Sequence, residues 1–240
     1  MPVVVEIADP SATQESFNTV FDYFTSVDGK FSTYKNESEI SRINRDELSP
    51  SEYSEDMKTI FALSEETKRL TDGYFDIRTP NGLCDPSGIV KGWAIQNTAK
   101  ILKKYGCRNF YIEAGGDIQT NGTNAKKEEW GIGIRNPFNR KEIVKVIYPH
   151  GHGVATSGTY IRGKHIYNPH TKQAVDSDVV SLTVIGPNIY EADRFATSTF
   201  AMGRRGIEFV EQLEEFEGYS IDGKGTATMT SGFETYTTHD

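Results

Sequence analysis

The sequence predicts a single α+β domain over residues 1–240, with a mainly antiparallel sheet and flanking helices. Three observations predict it. Strand-like and helix-like segments are mixed without strict βαβ alternation. Turn clusters such as Thr79-Pro80-Asn81-Gly82 and Asp85-Pro86-Ser87-Gly88 recur along the chain. Its length suits one large domain or two small ones, and since no linker-like stretch divides it, one domain with a core of its own is expected.

Val3–Ile7 reads as a short strand. Residues 11–27 place Phe17, Val20, Phe21 and Phe24 at helical spacing, whereas 31–44 is polar and irregular, with a short turn at 41–44. Ser51 is a candidate cap for a helix to about Leu70 with Met57, Ile60, Phe61 and Leu63 inward, stopped by Asp72-Gly73. A helix over about 90–105 and a buried strand at 110–112 follow. Next come a hairpin pair at 130–135 and 142–148 and a strand at 179–185. Two helices at 191–202 and 207–216 and two strands between 219 and 236 complete the pattern.

The formal charge of -8 argues against nucleic acid or an anionic membrane surface as the main partner. Any phosphate site must therefore be built locally, from a metal, backbone N–H groups or a few Lys and Arg. Cys84 and Cys107 lack a C-x-x-C or zinc-type spacing. They read as ordinary thiols, with a disulfide left open. No apolar run reaches the ~18–20 residues of a membrane helix. The N-terminus has no basic stretch before its apolar residues, so the expectation is a cytoplasmic chain, with a preceding leader or lipid anchor left open.

Four constellations could carry chemistry. In the first, Asp85 sits in a tight turn and Lys91 opens the next helix, where backbone N–H groups favour anions. In the second, Gly115-Gly116-Asp117 ends a strand and permits close backbone approach to a ligand. In the third, Asp193 and Thr197 stand at i and i+4 on one helix face, a carboxylate and a hydroxyl suited to Mg²⁺. The fourth runs from Thr156 to Pro169 and contains His165 in a strand-like stretch. Each also has an ordinary structural reading: a capped helix start, a plain turn, a core-facing threonine, a structural histidine. Gly131-Ile132-Gly133 lies inside a strand pattern and is no dinucleotide fingerprint.

Taken in order, fragments along most of the chain resemble the ApbE family, the FAD:protein FMN transferases. They are Phe31-Ser-Thr-Tyr34 through Ser41-Arg42-Ile43-Asn44, Thr71-Asp-Gly-Tyr-Phe75-Asp76 and Ser87-Gly-Ile-Val-Lys91-Gly92. Gly115-Gly116-Asp117 with Gly122, Ala155-Thr-Ser157-Gly158-Thr-Tyr160 and His165-Ile-Tyr167-Asn168-Pro169 continue the run. Ser181-Leu-Thr183 and Ala192-Asp193 to Thr197 with Gly203 close it. Each fragment is weak alone; their shared order is what makes the resemblance specific.

The resemblance implies a division of labour. Asp193 and Thr197 would be side-chain ligands of Mg²⁺, with the Gly88 carbonyl completing the protein shell. Asp85 and Lys91 would contact FAD, Tyr34 and Tyr167 would line its pocket, and His165 would be the general base. Phe75 and Tyr160 are further aromatic walls. The implied reaction moves FMN from FAD to a Thr or Ser hydroxyl of an acceptor flavoprotein and releases AMP. Two other readings stay open: a Mg²⁺-dependent FAD pyrophosphatase yielding FMN and AMP, and a non-catalytic FAD-binding protein. The chain departs from the family pattern in a short segment at 77–84 and in Asn168, where aspartate is usual. Residues 222–228 loosely resemble the acceptor sequences of this family; a β-hairpin turn is the ordinary reading.

Overall fold

The computed structural model describes residues 1–139, 141–159 and 166–238. Strand β1 (Val3–Ile7) leads into helix α1 (Gln14–Phe31), whose cap Thr13 accepts from the Ser16 N–H. Helices α2 (Glu39–Asn44) and α3 (Glu55–Leu70) are capped by Ser38 and Ser54. Helix α4 (Ser87–Lys104) precedes the hairpin of β2 (Phe110–Ala114) and β3 (Asp117–Asn121). A second hairpin, β4 (Ile132–Arg135) and β5 (Ile143–Ile147), is followed by β6 (Gly153–Gly158). The short pair β7 (Tyr167–Asn168) and β8 (Gln173–Ala174) comes before β9 (Val179–Gly186). Helices α5 (Ile189–Ala201) and α6 (Arg205–Glu211) lead to β10 (Glu217–Asp222) and β11 (Ala227–Met229).

Seven strands form one sheet in the order β1-β2-β3-β6-β9-β10-β11, and every neighbouring pair is antiparallel. The predicted α+β class is therefore what forms. One sheet face packs on the helices through Val20, Ile95, Leu102, Phe110, Leu182 and Phe200. The opposite face is covered by the β4–β5 hairpin and the C-terminal turn through Ile134, Ile147, Tyr219 and Phe233. A second helical core joins α1 to α4 around Ile40, Met57, Ile60 and Ile89.

Several boundaries differ from the sequence expectation, each for a physical reason. Helix α1 runs past Gly29 to Phe31, because Phe31 is buried edge-on against Trp93, ring centroids 5.8 Å apart, and Lys30 pairs with Asp56 at 2.5 Å. The turn expected at 41–44 is the end of α2, which buries Ile40 and Ile43. Ser54, not Ser51, caps α3; residues 50–52 form a separate 3-10 turn. Helix α4 starts at Ser87, three residues before the expected position. Strands β3 and β6 were not foreseen, because Asp-Ile-Gln-Thr-Asn and Gly-Val-Ala-Thr-Ser-Gly lack alternation. Both are buried on both faces, and pairing with a strand on each side holds them extended. Helix α6 ends at Glu211, and the two strands expected between 219 and 236 form as β10 and β11, the second ending at Met229 before a 3-10 turn at Phe233–Tyr236. Cys84 and Cys107 are buried free thiols. Residues 222–226 form the tight β10–β11 turn, in which Asp222 Oδ1 accepts from the Lys224 and Thr226 N–H groups. Among the described residues no helix is long and apolar enough to cross a membrane.

Candidate functional site

Two helices and the ends of two strands converge on one open cleft of about 1040 Å³, its mouth included. Its floor is the first turn of α4 against the middle of α5. A methyl built on Gly92 would stand 2.6 Å from Asp193 Cβ and 2.7 Å from the Ile189 carbonyl, so only glycine permits this approach. Helix α5 is anchored from both sides. Asn188 caps it, and Gln119 of β3 accepts from the Ile189 N–H at 2.9 Å. Arg194 is 5% exposed. It ties α5 to α3, pairing with Glu191 at 2.6 Å and donating to Thr67 at 3.3 Å. This bracing fixes which face of α5 meets the cleft.

The expected donors meet there. Gly88, Asp193 and Thr197 all line the cleft. A Cβ on Gly88 would lie 3.1 Å from Thr197 Cγ2 and 3.7 Å from its hydroxyl. The Gly92 N–H, whose ordinary helical acceptor is the Gly88 carbonyl, donates to Asp193 Oδ2 at 2.7 Å. A backbone carbonyl has two lone pairs, so the Gly88 carbonyl keeps capacity for a further ligand. Lys91 and Asp85 also line the cleft, and Asp85 Oδ1 accepts from Ser87 N–H to shape the α4 start. Tyr167 and Phe75 supply walls. The Tyr167 hydroxyl donates to the carbonyls of Asp76 (3.0 Å) and Arg78 (2.7 Å), holding the short 77–84 segment, and burial pushes its pKa up to about 12. Tyr34 stands apart: it is 97% exposed and not part of the cleft lining. His165 and Tyr160 lie outside the described residues.

The electrostatics of the floor centre on a residue to which the sequence reading assigned no role. Asp117, 1% exposed, follows the Gly115-Gly116 turn, whose φ angles of 62° and 98° require glycine geometry. Its Oδ2 meets Lys91 Nζ at 2.6 Å, and the same ammonium lies 3.6 Å from Asp193 Oδ1. Burial raises the Asp193 carboxyl well above the usual carboxylate range. Lys91 opposes that rise, Asp117 reinforces it, and the Gly92 N–H opposes it again. Two buried carboxylates thus share one ammonium, a charge deficit that a cation would relieve. The Gly-Gly-Asp string was the available signal for Asp117. It read as a backbone feature because sequence does not show what a strand-end carboxylate faces.

The donor set suits a small hard cation. Among the described residues no three His, Cys, Asp or Glu side chains converge as a metal cage. A carboxylate, a hydroxyl and a carbonyl are instead the few oxygen ligands that Mg²⁺ accepts when phosphates and water complete its shell.

Comparison with known proteins agrees with this architecture. A relative in Salmonella typhimurium named FAD:protein FMN transferase is 29% identical over 185 residues, covering 72% of this chain and 50% of its own length. One of the same name in Vibrio cholerae is 33% identical over 142 residues, covering 55% of this chain and 42% of its own. The chain thus spans about half the length of these curated relatives. The solved structure described as flavin transferase ApbE from Vibrio cholerae superposes with a TM-score of 0.86 at 23% identity, over 98% of this chain and 95% of that one, and so shares the fold. The ApbE family model matches residues 1–82 and 78–219, nearly the whole of the chain, and on that match the chain belongs to the ApbE family.

Proposed function

We propose that the chain transfers FMN from FAD to a Thr or Ser hydroxyl of an acceptor flavoprotein, with Mg²⁺ bound and AMP released. The observation that carries the reading is the meeting of Gly88, Asp193 and Thr197 beside Lys91 in one cleft, although 105 positions separate the first of these from the second. The named relatives act on FAD and a protein acceptor, which supports the same reaction here.

The residues divide the work by position. Asp193, Thr197 and the Gly88 carbonyl would hold the cation, which, when bound, neutralises charge on the diphosphate. Lys91 presents an ammonium from the α4 start, where backbone N–H groups also favour phosphate. Phe75 and Tyr167 give apolar and aromatic surface for a nucleotide ring. The phosphate oxygen bridging FMN to AMP leaves with AMP as the acceptor hydroxyl oxygen bonds to the FMN phosphorus. His165 is the proposed acceptor of that hydroxyl's proton.

Incubation of the chain with FAD, MgCl2 and an acceptor protein is expected to add one FMN to the acceptor by intact mass and to release AMP in equal amount. AMP release with an unmodified acceptor would make the activity a hydrolysis and overturn the proposal. Asp193→Ala is expected to abolish metal-dependent turnover; near-normal rates at low Mg²⁺ would remove Asp193 from the metal site. His165→Ala is expected to retain FAD binding and slow transfer by a factor of about 10²–10⁴. An unchanged transfer rate would exclude it as the base.

A further inference from the structure

Asp117, 1% exposed, lies just behind the cleft lining against Lys91 and is the charged group there to which no role in the reaction falls. Its position is built rather than incidental. The Gly115-Gly116 turn aims it beneath α4, and its Oδ1 accepts from the Thr156 N–H of the neighbouring strand at 3.3 Å. Its Oδ2 holds Lys91 Nζ at 2.6 Å, a full ångström closer than Asp193 Oδ1 does at 3.6 Å. Thr156 is fixed in turn by its hydroxyl, 2.9 Å from that of Thr183 on β9.

This asymmetry has a consequence for the cation site proposed above, on which the inference rests. An ammonium and a divalent cation compete for the same carboxylate. If nothing drew Lys91 away, its charge would close on Asp193 and occupy the side of the carboxylate that a cation needs. We propose that Asp117 is a positioning residue: it anchors the Lys91 ammonium at the β3 end of the cleft, so that Asp193 is kept available to Mg²⁺ while Lys91 still faces the substrate phosphates. The carboxylate also offsets the charge of Lys91, so that the site attracts a cation instead of repelling one. Asparagine at position 117 keeps the shape and the Thr156 contact but weakens the hold on Lys91.

The test uses the full chain with FAD and no acceptor, with MgCl2 titrated and the thermal midpoint followed; FAD affinity without metal is measured by flavin fluorescence. Asp117→Asn is expected to require about 10–100-fold more Mg²⁺ for half of the metal-dependent shift, with FAD affinity changed less than about threefold. In a Lys91→Met background the same substitution is expected to change the Mg²⁺ requirement less than about twofold, because the competing ammonium is gone. A buried ion pair of purely structural value would lower the midpoint and leave the Mg²⁺ requirement alone. That result, or an equal penalty in both backgrounds, overturns the proposal. A wild type without any Mg²⁺-dependent shift, or an Asp193→Asn variant titrating like wild type, would sink the metal site itself and the inference with it. Should Asp117→Asn not fold, a wild-type crystal grown with FAD and MgCl2 decides the matter. Lys91 Nζ is expected to stay paired with the Asp117 carboxylate, and its transfer to Asp193 would overturn the assignment.

Discussion

Gly92 has no room for a methyl group, and that lack of room is what lets a carboxylate from α5 reach the backbone of α4. Gly92→Ala would place its Cβ 2.6 Å from Asp193 Cβ, so the helices must part. A cost of about 1–3 kcal/mol is expected, read as a lower urea midpoint, together with a weaker Mg²⁺ response. An unchanged midpoint would mean that α4 and α5 separate freely. Arg194 works at the same scale. It lies against the Tyr190 ring at 4.9 Å and is matched by Glu191 and by Glu66 at 3.5 Å. Arg194→Met keeps the bulk but leaves Glu191 without its partner. Loss of a buried partner of this kind costs about 3–5 kcal/mol, and the partial exposure of Glu191 and Glu66, 22% and 45% at their side chains, places Arg194 toward the lower figure.

Between elements, hydrogen bonds to single carboxylates join segments far apart in sequence. Asp9, just after β1, accepts from the Arg108 and Asn109 N–H groups at 2.7 and 2.6 Å and from Asn109 Nδ2 at 2.8 Å. Burial alone would raise its pKa, but these donors outweigh burial and the net shift is downward. A folded pKa below the unfolded value of about 3.9 means that the stabilisation is complete above about pH 4 and fades as pH falls through the folded value. Asp9→Ala is therefore expected to lose about 1 kcal/mol at pH 7 and to approach wild-type stability at lower pH. A gap that widens on acidification would contradict this sign. Gln119 plays the corresponding part at the α5 start, bridging the Gly151 carbonyl at 2.7 Å and the Ile189 N–H.

For the whole molecule, the cleft lies where the two helical cores meet at α4. Phe75, Ile89 and Val90 belong to one core, and Ile95, Ala192 and Phe195 to the other. Ligand binding across that junction should stabilise the fold as a unit. FAD at one hundred times its dissociation constant is expected to add about 2.7 kcal/mol to the unfolding free energy, and MgCl2 to add further only when Asp193 is present. An equal MgCl2 effect in Asp193→Ala would place the bound metal elsewhere. The fully antiparallel sheet supplies a rigid frame for this junction, since β9 is buried along almost its entire length between neighbours on both sides.

By itself the sequence determined the elements whose information is local. Helical spacing in α1 and α3, the stop at Asp72-Gly73 and the Asp193–Thr197 pairing on one face all follow from residues within a few positions of one another. The ordered fragments also determined the family, because each turn or helix start keeps its own short signature. Only the tertiary structure decided what depends on neighbours remote in sequence. Strands β3 and β6 owe their conformation to the strands beside them, and Phe31 extends α1 because Trp93 buries it. Asp117 gained its role in the same way. Its charge was visible in the sequence, but the Lys91 ammonium that makes that charge matter arrives from another element, and a Coulomb interaction depends on distance in space.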